Sequence, residues 1–584
     1  MSLSDLTPQR YPFLWRWVIE HVWRIEHAFE RAQADGRAEN DTRIRILVVA
    51  AVFSLGFVVM AAGAVWSATL SDAGKGGRAY AGAPKRADLV DREGRLLAAN
   101  LTHYTLSIDT REVWSRRETR AALLKALPRL KPSQLDRALK AEKRGLVMRG
   151  LTPAEKERIH ALGLPGVVFD PEQRRVYPLG ALAAHLLGYD EKGGAPVAGA
   201  EKALEAEIPK AGAEGRPVAL SIDVRVQAAL EEELALAAAE FQPKGAVGVI
   251  TNVHTGEILG VASWPDFDPN HPGRATPEQL RNRAAASVFE MGSTFKAFTV
   301  AIGLDTHVAT PDSTFDATQP LKMGYRTIHD FHGTNRILTL REVFNHSSNI
   351  GTAKLALAVG ADRMARYFHA LGLTKRAQVE LLESTRPLTP KKWDEDDMAS
   401  VSFGHGINVS PLALAQAMGA ILNGGELVPL TIRKQVPGYR PKGERVMSEQ
   451  TTMSMLQIMR DNVVNGTGRK ADAPGLMVGG KTGTGEKYDP EIRGYSNYKQ
   501  VGSFAAVFPT DGPVDAERYF VLILMDEPQG GVRTGGWVAA PAVGRIVDRI
   551  APFLGVKRRQ PDPALMQTPT YVATARLATP GGAR

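Results

Sequence analysis

The chain has 584 residues, 44% hydrophobic and 23% charged, with 72 basic against 63 acidic side chains and a formal net charge of +9 at pH 7. That length holds two or more domains with sizeable cores, and zero cysteines exclude both a disulfide framework and cysteine-linked lipid anchors. The positive balance does not indicate nucleic acid, because no basic run is interleaved with aromatics and Lys557-Arg558-Arg559 is too short to argue from. It fits an anionic membrane surface or polymer, and equally a simply solvated surface.

In chain order, residues 1–42 carry a helical stripe of Phe13, Leu14, Trp17, Val18, Val22, Ile25 and Phe29, which suits either a membrane-surface or partner-binding segment or a short packed helix. From Ile46 to Trp66 about 21 residues pass without a charge, enough for one helix to cross a bilayer. A cleaved signal peptide would have a shorter leader and a shorter apolar core, and Trp66-Ser67-Ala68 is a weak cleavage site. The reading is an uncleaved anchor over 43–70. Arg31, Arg37, Arg43 and Arg45 precede it while Lys75 and Arg78 are the only bases in the equivalent window after it, which predicts a cytoplasmic N-terminus and an exported remainder.

A Gly- and Ala-rich linker opens the next region, 71–214, which reads as a first exported domain. Leu89-Val90, a turn at Asp91 to Gly94, and Leu96-Leu97 predict a hairpin there. A second domain over 215–556 begins at Gly215 to Asp223 and continues as an Ala- and Leu-rich helix. It then alternates from Gly245 to Trp264 as a hairpin around His254-Thr255-Gly256-Glu257. Strands with helical insertions predict an α+β fold. Residues 557–584 are dominated by Pro, Thr, Ala and Gly and are expected to be disordered.

The chemistry concentrates in three later segments. In Glu290-Met291-Gly292-Ser293-Thr294-Phe295-Lys296, a lysine follows a serine by three residues, one helical turn away on the same face. A serine hydroxyl is a weak nucleophile until a base takes its proton, so Ser293 is the candidate nucleophile and Lys296 its base. Phe295, Phe298, Val300, Ile302 and Leu304 give the following segment the pattern of a buried helix. Its N-terminal N–H groups favour developing negative charge at Ser293. Ser496-Asn497-Tyr498-Lys499 repeats the spacing, but within a Gly, Tyr and Asn run that lacks a helical period.

Gly475 to Thr482 fits G-x-x-x-x-G-K-[ST], a phosphate-loop pattern that would make the protein a nucleotide hydrolase. Its context opposes that. Polar residues Arg469 to Pro474 precede it, Thr-Gly-Thr-Gly follows Lys481, and a strand from Leu476 through Lys481 is predicted in place of a cradle and helix.

Ser293-x-x-Lys296, Ser347-x-Asn349 and Lys481-Thr482-Gly483-Thr484, in that order, make up the motif set of class A β-lactamases and penicillin-binding proteins. Arg86-Ala-Asp-Leu-Val-Asp-Arg92-Glu-Gly94 and Arg175-Val-Tyr177-Pro178 to His185-Leu-Leu-Gly188-Tyr189 resemble signature segments of class B penicillin-binding proteins, and the likeness runs from about Arg86 to about Pro552. Ala87 stands where that family usually has Gly, and Met291 where it often has Pro. The resemblance implies a serine β-lactamase-like transpeptidase domain with an N-terminal non-catalytic pedestal domain and a single transmembrane helix, placed in the inner membrane with its catalytic domain periplasmic.

It also implies the reaction: Ser293 attacks the carbonyl between the last two D-alanines of a wall stem peptide. Lys296 accepts the proton if it is neutral, and burial and a neighbouring Lys481 cation both favour that state. Ser347 relays a proton to the leaving D-alanine, and Asn349 holds the Lys296 amine or the substrate amide. By residue type alone Ser347 could be a helix cap and Asn349 a turn residue.

Lys481, Thr482, Gly483 and Thr484 form the substrate-binding segment, whose charge-assisted bonds select a terminal carboxylate and whose strand edge can pair with an extended peptide. The family's oxyanion hole falls on the N–H groups of Ser293 and Thr484. Phe403-Gly404-His405-Gly406 also recurs near the site, with no role assigned to His405. No cofactor or metal is expected.

No Glu-x-x-Leu-Asn segment is present to activate a hydrolytic water, since Glu380-Leu-Leu-Glu383 lacks the Asn. An acyl-enzyme awaiting an amine is therefore expected, which means wall cross-linking and β-lactam sensitivity. Lys481 to Lys487, Asp526-Glu527-Pro528 and Gly535 to Pro541 look closer to the division-specific FtsI type. An elongation-type enzyme or a non-catalytic β-lactam sensor are the alternatives. The division type implies a membrane glycosyltransferase of the FtsW type and other divisome proteins as partners.

Overall fold

The computed structural model describes residues 86–559 except 191–194, 325, 332, 490 and 493, and before them residues 38–69 together with 20, 23, 24, 27, 28, 30, 31 and 34. The chain divides into two units, Met1–Ala83 and Pro84–Arg584. In the first, Ala38–Thr69 form one helix, α1, of 32 residues, about 48 Å long at 1.5 Å per residue. Its side chains are described continuously over 48–62, where Val52, Phe53, Leu55 and Phe57 are exposed. The expected span from Ile46 to Trp66 extends past that run, and among the described residues no helix is long and apolar enough to cross a membrane. Most of the stripe expected in 1–42, and the linker over 71–85, lie outside the described residues.

The second unit opens with the expected hairpin, β1 (Leu89–Val90) and β2 (Leu96–Asp109). Asp91 shapes its turn, with Oδ1 accepting from Glu93 N at 2.9 Å and Arg95 N at 2.8 Å. The long β2 pairs antiparallel with both β3 (Arg144–Leu151) and β4 (Val167–Val176). Three short helices, α2 (Arg116–Ala126), α3 (Pro132–Leu139) and α4 (Pro153–His160), close a core of Leu106, Ile108, Leu123, Leu135, Val147 and Ile159.

β1 also pairs in parallel with β5 (Val218–Ala219), so the first sheet includes residues beyond the expected boundary at 214. Arg86 and Arg175, one from each signature segment, both bind the fully buried Glu201, Arg175 Nε at 2.6 Å. A buried carboxylate needs such partners, and this one draws together segments far apart in sequence.

The rest is built on a five-stranded antiparallel sheet. Along the chain come α5 (Val224–Phe241), β6 (Gly245–Asn252), β7 (Ile258–Trp264), α6 (Lys296–Asp305), α7 (Leu340–Asn345), α8 (Asn349–Val359), α9 (Pro411–Leu422) and α10 (Glu449–Asn465). After them follow β8 (Gly479–Asp489), β9 (Gly494–Phe508), β10 (Tyr519–Asp526), α11 (Gly535–Val538) and α12 (Ala540–Ile550).

Strand order is β8-β9-β10-β6-β7, which leaves β8 at an edge. The apolar run of β10 follows from its position. Phe520, Leu522 and Leu524 pack in one cluster with α6, α9 and α10, while Val521, Ile523 and Met525 pack in another with α5 and α12. A strand covered on both faces has no polar side to show, which erases the usual alternation.

Strand β8 begins at Gly479. The predicted strand residues Leu476 to Val478 instead precede it, with Met477 at φ 51°, so that expectation is corrected by three residues. No helix opens at Lys481, which removes the phosphate-loop reading. The expected disordered tail is also corrected at its start. Arg559 N donates to Gly475 O at 2.7 Å and Arg558 pairs with Asp548, so 557–559 are held on the domain while 560–584 lie outside the described residues.

Candidate active site

A 3-10 turn, Gly292–Phe295, precedes α6 and carries Ser293 half-exposed. One turn on, Lys296 is fully buried within a helix whose next eight residues are buried too. Lys296 Nζ donates to Ser347 O at 2.5 Å, Asn349 Oδ1 at 2.7 Å and Ser347 Oγ at 3.1 Å. The fully buried Lys481 Nζ donates to the same Ser347 Oγ at 3.0 Å, and to the O and Oγ1 of Thr482, each at 3.2 Å. Ser347 Oγ thus bridges two amines that arrive from a helix and an edge strand.

Burial drives both lysines toward neutrality. It pushes Lys481 down to about 7. Lys296 lies well below the ordinary lysine range, first through burial and then through the Lys481 charge, with Asp330 opposing. At neutral pH the pair therefore carries less than its full charge.

The loop between α7 and α8 makes this meeting possible. Ser347 adopts φ 58°, a left-handed backbone uncommon for a residue with a side chain. Ser348, not Ser347, caps α8, with its Oγ accepting from Gly351 N at 3.0 Å, so the helix-cap alternative falls one residue short. Asn349 is the first residue of α8 rather than a turn residue, and its Nδ2 donates to His329 O at 2.9 Å. Asp330 ties the same helix start by accepting from Ser348 Oγ at 2.7 Å and Ile350 N at 3.0 Å.

Edge strand β8 lies against the serine turn. A Cβ on Gly292 would come within 2.1 Å of Thr484 O, and one on Gly483 within 2.5 Å of Met291 O. Gly483 therefore has a packing reason to lack a side chain, separate from any contact with substrate. Thr482 Oγ1 is 3.0 Å from Thr467 Oγ1. The rival Ser496 sits in β9, and its Oγ accepts from Tyr498 N at 3.2 Å and Lys499 N at 3.1 Å. Lys499 Nζ pairs with Asp489 at 2.8 Å, so the spacing there brings no amine to the serine.

Several supporting residues carry no motif. Asn462 of α10 is fully buried, donates from Nδ2 to Gly480 O at 2.7 Å and accepts from Thr467. Asp330 and Tyr495 likewise belong to no sequence pattern that marks a site. Glu290 and His405 fall inside motif segments, but only the fold sets them side by side, His405 Nδ1 lying 3.4 Å from Glu290 Oε2.

The chain is similar to known proteins along most of its sequence. Residues 246–548 match the penicillin binding protein transpeptidase domain, and residues 81–209 the penicillin-binding protein dimerisation domain. The chain is 62% identical over 570 residues to the probable peptidoglycan D,D-transpeptidase FtsI of Caulobacter vibrioides, covering 96% of this chain and 97% of the relative. It is 31% identical over 505 residues to the peptidoglycan D,D-transpeptidase FtsI of Escherichia coli, covering 81% and 84%. It is 34% identical over 454 residues to the probable peptidoglycan D,D-transpeptidase PenA of Neisseria gonorrhoeae, covering 73% and 76%. Two domain matches in this order, with identity along nearly the whole length, place the chain among the class B penicillin-binding proteins of the FtsI type, serine peptidoglycan D,D-transpeptidases.

Proposed function

We propose that Ser293 is the nucleophile of this transpeptidase, Lys296 its base, Ser347 the proton relay, and Asn349 the residue that orients the base. The observation that carries this reading is the buried Lys296 amine, one turn from Ser293 and hydrogen-bonded to both Ser347 and Asn349. Ser293 Oγ attacks the carbonyl carbon of the penultimate D-alanine as Lys296 Nζ takes its proton. The oxyanion is met by the N–H groups of Ser293 and Thr484. Collapse breaks the C–N bond, and the leaving D-alanine amine receives its proton through Ser347 Oγ, which is within hydrogen-bond reach of both lysines. The incoming amine of a second stem peptide then attacks the ester, reverses the proton path and releases Ser293.

Lys481, Thr482 and Thr484 bind the terminal carboxylate, and Gly483 keeps β8 close to the serine turn. The free edge of β8 supports main-chain pairing with the donor peptide. Penicillin enters as a mimic of that peptide. Mass mapping of the penicillin adduct tests the assignment: it is expected on the peptide containing Ser293, and an adduct on Ser496 would refute it.

The division into a pedestal over 71–214 and a transpeptidase domain over 215–556 is supported by the two family matches. The site of action proposed is the division septum. An anchor over 43–70 is supported by the uncharged run within α1 and by the arginines before it, with 1–42 cytoplasmic and the catalytic domain periplasmic. Within the membrane the partner proposed is a glycosyltransferase of the FtsW type, working among other divisome proteins. Replacing Ile46 to Trp66 with an unrelated spanning helix keeps anchoring but removes any specific packing through Gly56 and Gly63. Septal synthesis at the normal rate in that chimera would reduce the span to a tether.

A further inference from the structure

The backbone of Glu290 to Gly292 is pressed between two other backbones. A Cβ on Gly485 would come within 2.1 Å of Glu290 O, and one on Gly404 within 2.2 Å of Gly292 O. The serine turn therefore touches β8 on one side and the 403–406 loop on the other. Across this sandwich reaches the Glu290 side chain, which is 7% exposed. Its Oε1 accepts from Tyr495 OH at 2.9 Å and from Gly406 N at 3.1 Å, while Oε2 faces His405 Nδ1 at 3.4 Å. The His405 ring lies 4.3 Å from that of Tyr495. One carboxylate thus joins the serine turn, the loop and strand β9.

The hairpin needs such a tie. From Gly479 to Glu486 the β8–β9 register is continuous, but after Glu486↔Gln500 it jumps to Lys487↔Ser496, a bulge that separates the outer hairpin from the inner ladder. Tyr495 is the outer partner of Tyr488, and its hydroxyl is fixed by Glu290. Thr484 lies two residues inside the bulge on β8, and its carbonyl faces Gly292 of the serine turn.

We propose that Glu290 is a positioning residue for the acylation step: its carboxylate, through Tyr495 and Gly406, holds β8 and the 403–406 loop against the serine turn and so sets the separation of the Ser293 and Thr484 N–H groups. This rests on the assignment of Ser293 as nucleophile. A displacement of about 1 Å at such a site costs up to about 10²-fold in rate.

The test is acylation of the full-length protein by a fluorescent penicillin, resolved into initial binding and first-order acylation, with melting curves and adduct mapping for each variant. Tyr495→Phe, which removes one hydroxyl from a half-exposed ring, is expected to slow acylation about tenfold with initial binding and melting essentially unchanged. Glu290→Ala is expected to slow it by about 10²-fold. Glu290→Gln, whose amide oxygen still accepts from Tyr495 and Gly406, is expected to recover most of the rate. The double variant Glu290→Ala/Tyr495→Phe should be no slower than Glu290→Ala alone, because both act through one tie. Normal acylation by Tyr495→Phe, or additive losses in the double variant, would overturn the positioning role while an adduct on Ser293 left the nucleophile intact. An adduct on another serine would overturn both.

Discussion

Asn462 gives the sharpest test of how the scaffold supports the site. Replacing it by Ala leaves the Gly480 carbonyl without its 2.7 Å donor and the Thr467 N–H without its 3.2 Å acceptor, both beside a side-chain position that is fully buried. The buried Gly480 carbonyl left unmade costs about 1–3 kcal/mol and the lost bond of the exposed Thr467 about 1 kcal/mol, so the variant should lose about 2–4 kcal/mol. In a domain of this size about 2 °C of melting temperature goes with each kcal/mol, giving a drop of roughly 4–8 °C.

The chemistry should suffer as well. Thr467, freed from Asn462, no longer fixes Thr482 through their 3.0 Å contact, and Gly480 immediately precedes Lys481. Calorimetry and penicillin acylation on the same preparation provide the assay. Thr467→Val serves as the companion variant, removing the Thr482 contact while keeping the backbone bond to Asn462, so it should slow acylation with a stability loss of about 1 kcal/mol or less. If Asn462→Ala melts within about 1 °C of wild type and acylates normally, the reasoning that this amide braces β8 is wrong.

Three further outcomes follow from the geometry. Lys296→Ala should lose about 10²- to 10⁴-fold in acylation rate, measured by penicillin labelling over time, and a wild-type rate at neutral pH would place the base elsewhere. Lys481, held at about 7 by burial against an ordinary 10.5, binds its proton more readily in the unfolded chain across that interval. Wild type should therefore gain stability relative to Lys481→Met as pH rises from 7 toward 10, by chemical denaturation at each pH, and a wild type that loses stability relative to the variant over that range would contradict the buried neutral amine. A reporter active only in the cytoplasm and fused after Arg86 should be silent, and activity there would overturn the anchor.

Local chemistry was legible from the residues themselves. The turn at Asp91 to Gly94, the hairpin around His254 to Glu257 and the buried helix after Ser293 each follow from contacts within a few positions, where spacing and residue type decide the backbone. The pattern of apolar positions also marked α6 as buried, and motif context separated Ser293 from Ser496. Family likeness, carried by the three motifs and the Arg86 and Arg175 segments, supplied roles that periodicity alone does not.

The tertiary structure decided what lies far apart in sequence. Lys296 and Lys481 meet Ser347 across 51 and 134 residues, and nothing in either segment encodes that one hydroxyl bridges both amines. Ser347 itself takes a left-handed backbone that its residue type does not announce. Asn462 looks like any amide on a helix until the fold sets it under Gly480, and Glu290 becomes a tie only when the 403–406 loop and Tyr495 close over it. The physical reason is common to all of these: a polar group's role depends on which partners share its low-dielectric surroundings, and burial brings those partners together from segments that local sequence cannot relate.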